Sequence, residues 1–476
     1  MVQRVVYRIL LPVFMFLTLA GCKTFQRPIK SESKVVPVSF GNLQDSATMA
    51  RINWKNYFSD QNLVALIDSA LKKNQELNIT LQEIEILKNE VRARKGEYLP
   101  FVNLGVAAGM EKEGRYTRHG SVDENGEILP GRRFPDPLPN YEVAALASWE
   151  VDIWKKLRNA KKAAALRYLA GREGRNFLVT NLIAEIANSY YELMAFDNQL
   201  DIIEQNIQIQ TGALEIVKQL KAAAKLTQLA VNRFEAQLLN TTNRQYEVRQ
   251  KIIETENRLG FLTGSFPAGM PRGSIAFNDI VLDSGHAGIP SQLLVNRPDI
   301  RQAEFELAAA KLDVKAAKAN FYPSLRIVGG VGFQAFNLAY LTSPESMLFN
   351  LAGDLIAPLV NRNAIKAQYN TASARQIQAV YDYELTILNA YVDVVNQLSY
   401  VKNFEKSYET KSKEVNILMQ SVVISNSLFK SARADYLEVL LTQREALESK
   451  MELVEIKQRQ LNAKVNIYRA LGGGWN

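Results

Sequence analysis

From Leu182 the apolar positions step by four and three through Ile186, Leu193, Phe196, Leu200, Ile203 and Ile207, with Ser189 in the one polar slot. The rule returns through Ala390, Val394, Val401, Phe404, Tyr408, Val415, Leu418 and Val422, where Gln397 and Lys411 are the polar slots. A third series, broken by Arg444 and Gln458, joins Leu440, Leu447, Met451, Val454, Leu461, Val465 and Tyr468. Sustained 3.5-residue spacing is the seam of a coiled coil. No proline falls between Pro139 and Pro267 or after Pro358, so both stretches lack the strongest helix breaker. A helix of about 65 residues is on the order of 100 Å long and must pack on another rod. Each half of the chain therefore reads as an antiparallel helical hairpin, reversing near 222–225 and near 431–434.

A second pattern has period two. Val102, Leu104, Val106, Ala108 and Met110 alternate with Asn103, Gly105, Ala107, Gly109 and Glu111, which predicts a strand with one apolar and one small or polar face. Leu325, Ile327, Val331 and Phe333 occupy the matching positions of another strand. Return strands are expected over 141–151, after a polar loop at 114–139, and over 346–357, after a turn at 337–345. The first loop is rich in charge and ends in Phe134-Pro135-Asp136-Pro137-Leu138-Pro139, so it belongs in water and not in lipid.

The two patterns are duplicated together. Residues 74–109 and 297–332 carry the same arrangement: Glu83, Lys88, Val91, Ala93, Lys95, Pro100 and Gly109 recur as Glu306, Lys311, Val314, Ala316, Lys318, Pro323 and Gly332. A repeat of this length means two similar halves. The expected division is a leader at 1–21, an extended polar tether at 22–53, a first repeat at 54–265 with a hairpin over about 101–151, a linker at 266–291, and a second repeat at 292–476 with a hairpin over about 324–357. Prolines and glycines mark the linker, which is expected to hold one short strand around 275–282 and to pack beside the termini.

Four strands are near the length that crosses a bilayer, yet four cannot close. An open edge in lipid leaves backbone groups unpaired at several kcal/mol each, and membrane barrels begin at eight strands. The chain is therefore expected to oligomerise; a dimer supplies about eight strands, whose interior side chains fill, and a trimer about twelve, which leave a pore.

Arg4 and Arg8 precede an apolar run from Ile9 to Leu19 that is too short for a retained transmembrane helix and reads as a removable signal peptide. Leu19-Ala20-Gly21-Cys22 resembles a bacterial lipobox, with Cys22 as the lipid-modified first residue, and Lys23 behind it resembles the outer-membrane sorting pattern. Cys22 is the only cysteine, so no disulfide framework or cysteine metal site is available. His119 and His286 are the only histidines and lack ligand spacing. The formal charge of +8 falls to about +6 once Arg4 and Arg8 leave, and without clustered basic stripes it does not point to nucleic acid. No phosphate-binding glycine loop precedes a helix, and no acid–base pair or nucleophile stands out, so an enzyme is not expected.

Several motifs together carry a resemblance over nearly the whole mature chain. They are Trp54 with Phe58 and Leu63, Trp149-Glu150-Val151-Asp152-Ile153-Trp154, Asn296-Arg297-Pro298-Asp299-Ile300-Arg301-Gln302-Ala303-Glu304, Tyr322-Pro323-Ser324-Leu325, and Ala470-Leu471-Gly472-Gly473-Gly474-Trp475. With these the chain resembles the TolC-type outer-membrane efflux proteins, in the lipidated branch that serves resistance-nodulation-division pumps. The resemblance implies an α+β membrane protein that forms a homotrimer. Four strands per chain make a twelve-stranded barrel in outer-membrane lipid, and long helical hairpins make a periplasmic tunnel. It implies no cofactor and no catalysis, and as partners a periplasmic adaptor and an inner-membrane pump that supplies the energy and delivers small molecules such as drugs, toxic compounds or metal ions. A type I protein-secretion exit channel is the related alternative; a non-porous, lipid-tethered periplasmic coiled-coil scaffold is the unrelated one.

The resemblance also locates site residues. The family's periplasmic closure lies in a stretch that here reads Val439-Leu440-Leu441-Thr442-Gln443-Arg444. Leu441 stands where an Asp is usual, so either an apolar constriction at Leu441 or an acidic ring at Glu438 is expected to form the gate. Phe429 holds a position often taken by Tyr. The tips that meet the adaptor are Ala222, Ala223 and Lys225 in the first half and Ser431, Ala432 and Arg433 in the second. Ala223 and Ala432 stand where Gly is common, and Ala resists the left-handed backbone that Gly accepts.

Overall fold

The computed structural model describes residues 30–40, 47–266, 269–273, 277–282, 286–431 and 433–475. The expected leader, the lipidation residue Cys22 and the tip residue Ala432 lie outside these. The fold is α+β. The chain folds as two compact units, each drawing on both repeats: one combines residues 94–163 with 310–381, the other 33–93 with 164–309 and 382–476.

The first unit holds a four-stranded antiparallel sheet in sequence order: β1 Phe101–Glu111, β2 Leu138–Val151, β3 Ser324–Ala335 and β4 Met347–Ile356. Its register is unbroken. Val106 lies opposite Val143, Val143 opposite Phe333, and Phe333 opposite Met347, so strand alternation assigns every residue to a face. One face carries Leu104, Ala145, Val331, Phe349 and their neighbours two along, without a charge. The other carries all the charged and amide side chains of the sheet, Asn103, Glu111, Asn140, Glu142, Glu150, Arg326, Gln334, Asn350 and Asp354, between small residues and a few apolar ones such as Leu146 and Ile356. At Gly332 the strands approach so closely that a Cβ would lie 2.3 Å from the Val143 carbonyl oxygen, which accounts for the glycine.

The charged stretch read as a loop at 114–139 is more ordered than its lack of apolar period implied. It forms a short helix, Arg118–Asn125, and a small hairpin pairing Glu127–Leu129 with Arg132–Arg133. Thr117 starts the helix, its hydroxyl accepting from Gly120 N at 3.1 Å and donating to Gly114 O at 2.8 Å. Arg115 pairs with Glu124 at 2.6 Å, and Arg132 donates to the Tyr340 hydroxyl at 3.2 Å.

Two helices connect to the strands: Gln75–Glu97 ahead of β1 and Pro298–Ala319 ahead of β3. After the sheet strands come helices of 67 and 68 residues, Lys156–Ala222 and Asn363–Lys430, each followed by one of 35 residues, Gln228–Leu262 and Tyr436–Ala470. The heptads read from the sequence are buried in part: Ile186, Leu193, Ile203, Ala390 and Val394 have no exposed surface and the polar slot Ser189 is buried with them, whereas Phe196, Leu200, Val401, Phe404 and Tyr408 are half-buried. Asp152 prepares the entry into the first long helix by accepting from Leu157 N at 3.1 Å and Arg158 N at 2.9 Å, a carboxylate at the positive end of a helix.

The short strand expected around 275–282 does not form in the described residues. Phe277–Asp279 is a 3-10 turn whose Phe277 ring is buried, and burying one ring does not require the alternation a strand needs. The linker does lie beside terminal segments within its own unit: Thr48 bridges Ala287, Met49 N donates to His286 O at 3.0 Å, and Lys464 donates to Leu282 O at 2.7 Å.

Candidate functional site

The apolar face of the sheet and its edge strands form the first part of the site. Val102, Leu104, Val106 and Met110 on β1 are 67–75% exposed, and Phe349, Leu351 and Leu355 on β4 are 67–80% exposed. A soluble monomer rarely displays such a contiguous apolar surface. At the 150s end of the sheet two tryptophans are fixed by their indole nitrogens, Trp149 donating to Tyr98 O at 3.1 Å and Trp154 to Pro323 O at 2.7 Å. Trp154 also stacks on Tyr322 with centroids 4.8 Å apart. Half-exposed aromatics bordering an apolar band are a pattern common at the interfaces of membrane barrels. No helix among the described residues is long and apolar enough to cross a membrane.

The helix tips form the second part. The first long helix ends at Ala222, and Lys225 N donates back to Leu220 O at 2.9 Å while Ala224 N donates to Lys221 O at 2.9 Å. This is a Schellman-type reversal, which needs one left-handed residue. That residue is Ala224, at φ 59° and next to Ala223, because the reversal is set by the six-residue bond from 225 and the left-handed position lies just inside it. In the second half Arg433 N makes the same bond to Leu428 O at 2.9 Å, and Ser431 Oγ donates to Ser427 O at 3.1 Å. A left-handed Ala costs roughly 1–2 kcal/mol, partly offset by the flexibility of Gly when unfolded. Ala224→Gly is therefore expected to stabilise the tip by about 0.5–1 kcal/mol, read as slower hydrogen exchange of the Lys225 amide; faster exchange would contradict it.

The gate candidates separate. Leu440 packs with Tyr436 against a cluster of Leu214, Val217, Ala230, Val231 and Phe234. Leu441 is turned the other way and is 38% exposed, so the seam contact belongs to its neighbour. Glu438 lies three residues before Leu441 on the same exposed side of the helix, which continues through Glu445, Glu452 and Glu455. Phe429 is half-buried on the preceding helix, and among the described residues no ring contact, hydrogen bond or ion pair joins it to Glu438 or Leu441.

A carboxy-terminal clasp explains two of the sequence motifs. Arg297, 8% exposed, grips Asp299 through Nε at 3.0 Å and Nη2 at 2.6 Å, and its Nη1 donates to Ala470 O at 2.7 Å. Asp393 lies 3.5 Å from Arg297 and from Arg469. Burial works against the Arg297 charge, but Asp299 and Asp393 outweigh it and hold its pKa above the usual value. Beyond the helix, Gly472 adopts φ 89° and sits so near Asn296 O that a Cβ would lie 2.6 Å away, and Trp475 donates to that oxygen at 3.3 Å. The early aromatic motif closes on the same helix: the Tyr57 ring stacks on Tyr468 at 4.3 Å, next to buried Trp54 and Phe58. In the sequence these motifs stand out without a role, since Arg297 and Ala470 are 173 positions apart.

The profile of the outer membrane efflux protein family matches residues 66–265 and 289–473. The chain belongs to this family. Among its relatives are the solvent efflux pump outer membrane protein SrpC of Pseudomonas putida, 26% identical over 98% of both chains, and the cation efflux system protein CusC of Escherichia coli, also 26% identical over 98% of both. The crystal structure of the Campylobacter jejuni CmeC outer membrane channel shares the fold, with a TM-score of 0.84 at 19% identity over 94% of each chain. This outer membrane efflux protein is thus an efflux channel component of the outer membrane with a helical and four-stranded fold.

Proposed function

We propose that the chain is a passive homotrimeric exit duct. Three copies pool four strands each into a twelve-stranded barrel, and their paired helices continue as a periplasmic tunnel. The observation that carries this reading is the sheet, whose outer strands β1 and β4 each keep one edge unpaired among the described residues while one whole face is uncharged and mostly apolar. In lipid such edges require partner strands, and only identical copies are at hand to supply them in fixed register. Exposed heptad stripes on the helices support the same conclusion: Leu385, Leu388, Val392 and Val395 are 36–58% exposed, and Leu239, Tyr246 and Ile253, seven apart, are 50–64% exposed. Such stripes are seams that a neighbouring helix covers.

The duct catalyses nothing and is anchored through lipid on Cys22. It receives small molecules from an inner-membrane resistance-nodulation-division pump through a periplasmic adaptor. The solvent and cation efflux named for two relatives supports a small-molecule cargo over a secreted protein. Adaptor contact is assigned to the tips around Ala222, Ala223, Lys225, Ser431, Ala432 and Arg433. Closure is assigned to the exposed face bearing Glu438 and Leu441, with Phe429 on the preceding helix as the further candidate.

Reconstitution in planar bilayers tests the reading. The purified protein is expected to give discrete conductance steps of low open probability. Leu441→Ala is expected to raise the open probability more than Glu438→Ala, because an apolar constriction closes by excluding water. Unchanged gating in both variants removes these residues from the gate; the absence of any conductance removes the duct.

A further inference from the structure

We propose that Arg326 sets the charge selectivity of the barrel lumen. The inference rests on the duct reading above, because it needs the polar face of the sheet to line the bore. On that face the four strands present four acids, Glu111, Glu142, Glu150 and Asp354, and a single base, Arg326. The net charge of this surface is negative in a chain whose formal total is +8, so charge is segregated by strand alternation.

Arg326 sits inside a row. Glu150 is its register partner on β2 and Asp354 its register partner on β4, which places acid, base and acid side by side across three adjacent strands near one end of the sheet. Glu150 is already engaged, by Lys156 at the start of the long helix. Asp354 and Arg326 are exposed, and among the described residues neither side chain makes a hydrogen bond or ion pair. Their charges therefore act on the space in front of the sheet instead of on each other at contact distance. The surrounding positions on that face, Ser148, Val328, Ala352, Ser324 and Ile356, carry no charge that would neutralise them.

In a trimer the polar face places twelve acids and three arginines around the bore. Twelve strands spaced about 4.8 Å apart and tilted about 40° put the backbone roughly 12 Å from the axis. Side chains reach inward from there, so the remaining radius falls within the Debye length of about 10 Å at 0.1 M salt. Ions on the axis feel the wall at that ionic strength and lose it at 1 M, where the length is about 3 Å. The bore prefers cations, and Arg326 is the one residue that limits the preference.

The test uses the full-length protein in planar bilayers under a salt gradient, with the sign of charge at position 326 switched in place. Arg326→Cys is expected to raise the potassium-to-chloride permeability ratio by about twofold or more at 0.1 M. A cationic methanethiosulfonate reagent is expected to bring the ratio back, an anionic one to raise it further, and Arg326→Lys to leave it at the wild-type value. Asp354→Asn is expected to shift the ratio the other way. Ile327→Cys, on the apolar face, is expected not to respond to either reagent, which keeps a general effect of thiol modification apart from the lumen charge. Channels of ordinary conductance whose selectivity ignores the charge at 326 would overturn the inference while leaving the duct intact. Wild-type protein that gives no channels would overturn the duct, and the inference with it.

Discussion

Leu351→Lys is expected to keep the chain out of the outer membrane, whereas Ala352→Lys, one residue further along the same strand, is expected to leave insertion intact. Leu351 is 80% exposed in the isolated chain and lies opposite Gly329, in the row that continues through Ala147. Nothing charged occurs on that face. A lysine near the bilayer midplane of a barrel costs about 2–4 kcal/mol per chain, and a trimer incurs it three times. Ala352 lies opposite Val328 on the polar face, where an added ammonium meets water. The comparison controls for strand propensity and for position along the strand, so it isolates the direction of the side chain. Density flotation of outer-membrane fractions and heat-modifiable migration on gels measure it; equal insertion of both variants would mean that neither face meets lipid.

Arg297→Ala is expected to destabilise the helical unit by about 3–5 kcal/mol, the usual cost of removing one partner from a buried ion pair. The substitution strips Asp299 of both guanidinium contacts and leaves the Ala470 carbonyl without its 2.7 Å donor. It also loosens the turn in which Gly472 and Trp475 meet Asn296. Arg297→Lys is expected to recover only part of the loss, since an ammonium cannot make the paired contact to Asp299. Thermal melting of detergent-purified protein, followed by far-ultraviolet circular dichroism, is the measurement. A melting temperature within a degree of wild type would show the clasp to be dispensable.

The sequence made the periodic parts of this molecule legible and left the idiosyncratic parts dark, for physical reasons. A 67-residue helix repeats its instruction at every heptad, so Ile186, Leu193 and Ile203 identify one another without any knowledge of what they touch. The strands repeat theirs at every second residue, and the duplication at Pro100 and Pro323 doubles the signal. The helix Arg118–Asn125 has no apolar period and depends on one hydroxyl cap and an Arg115–Glu124 pair, so the stretch reads as a loop. The strand expected around 275–282 rested on weak propensity and yielded to a turn that buries Phe277. The left-handed residue of the first tip, Ala224, carries no mark in the sequence, because its identity follows from a backbone hydrogen bond and not from a side-chain preference. Leu441 is the sharpest case. The heptad named Leu440 for the seam, and only the packing of Leu440 against the Val231 and Phe234 cluster turned its neighbour outward.

Everything proposed about the pore depends on unpaired edges finding partners in other copies. Cysteine cross-linking between strands measures this directly: residues along β1, such as Leu104 and Val106, are combined pairwise with residues along β4, such as Phe349 and Leu351, and oxidised in native membranes. With edges shared around a ring, some of these pairs are expected to give a covalent ladder of dimer and trimer that stops at three. Cross-links that form only within single chains, or a protein that stays monomeric at every pair, would contradict the account.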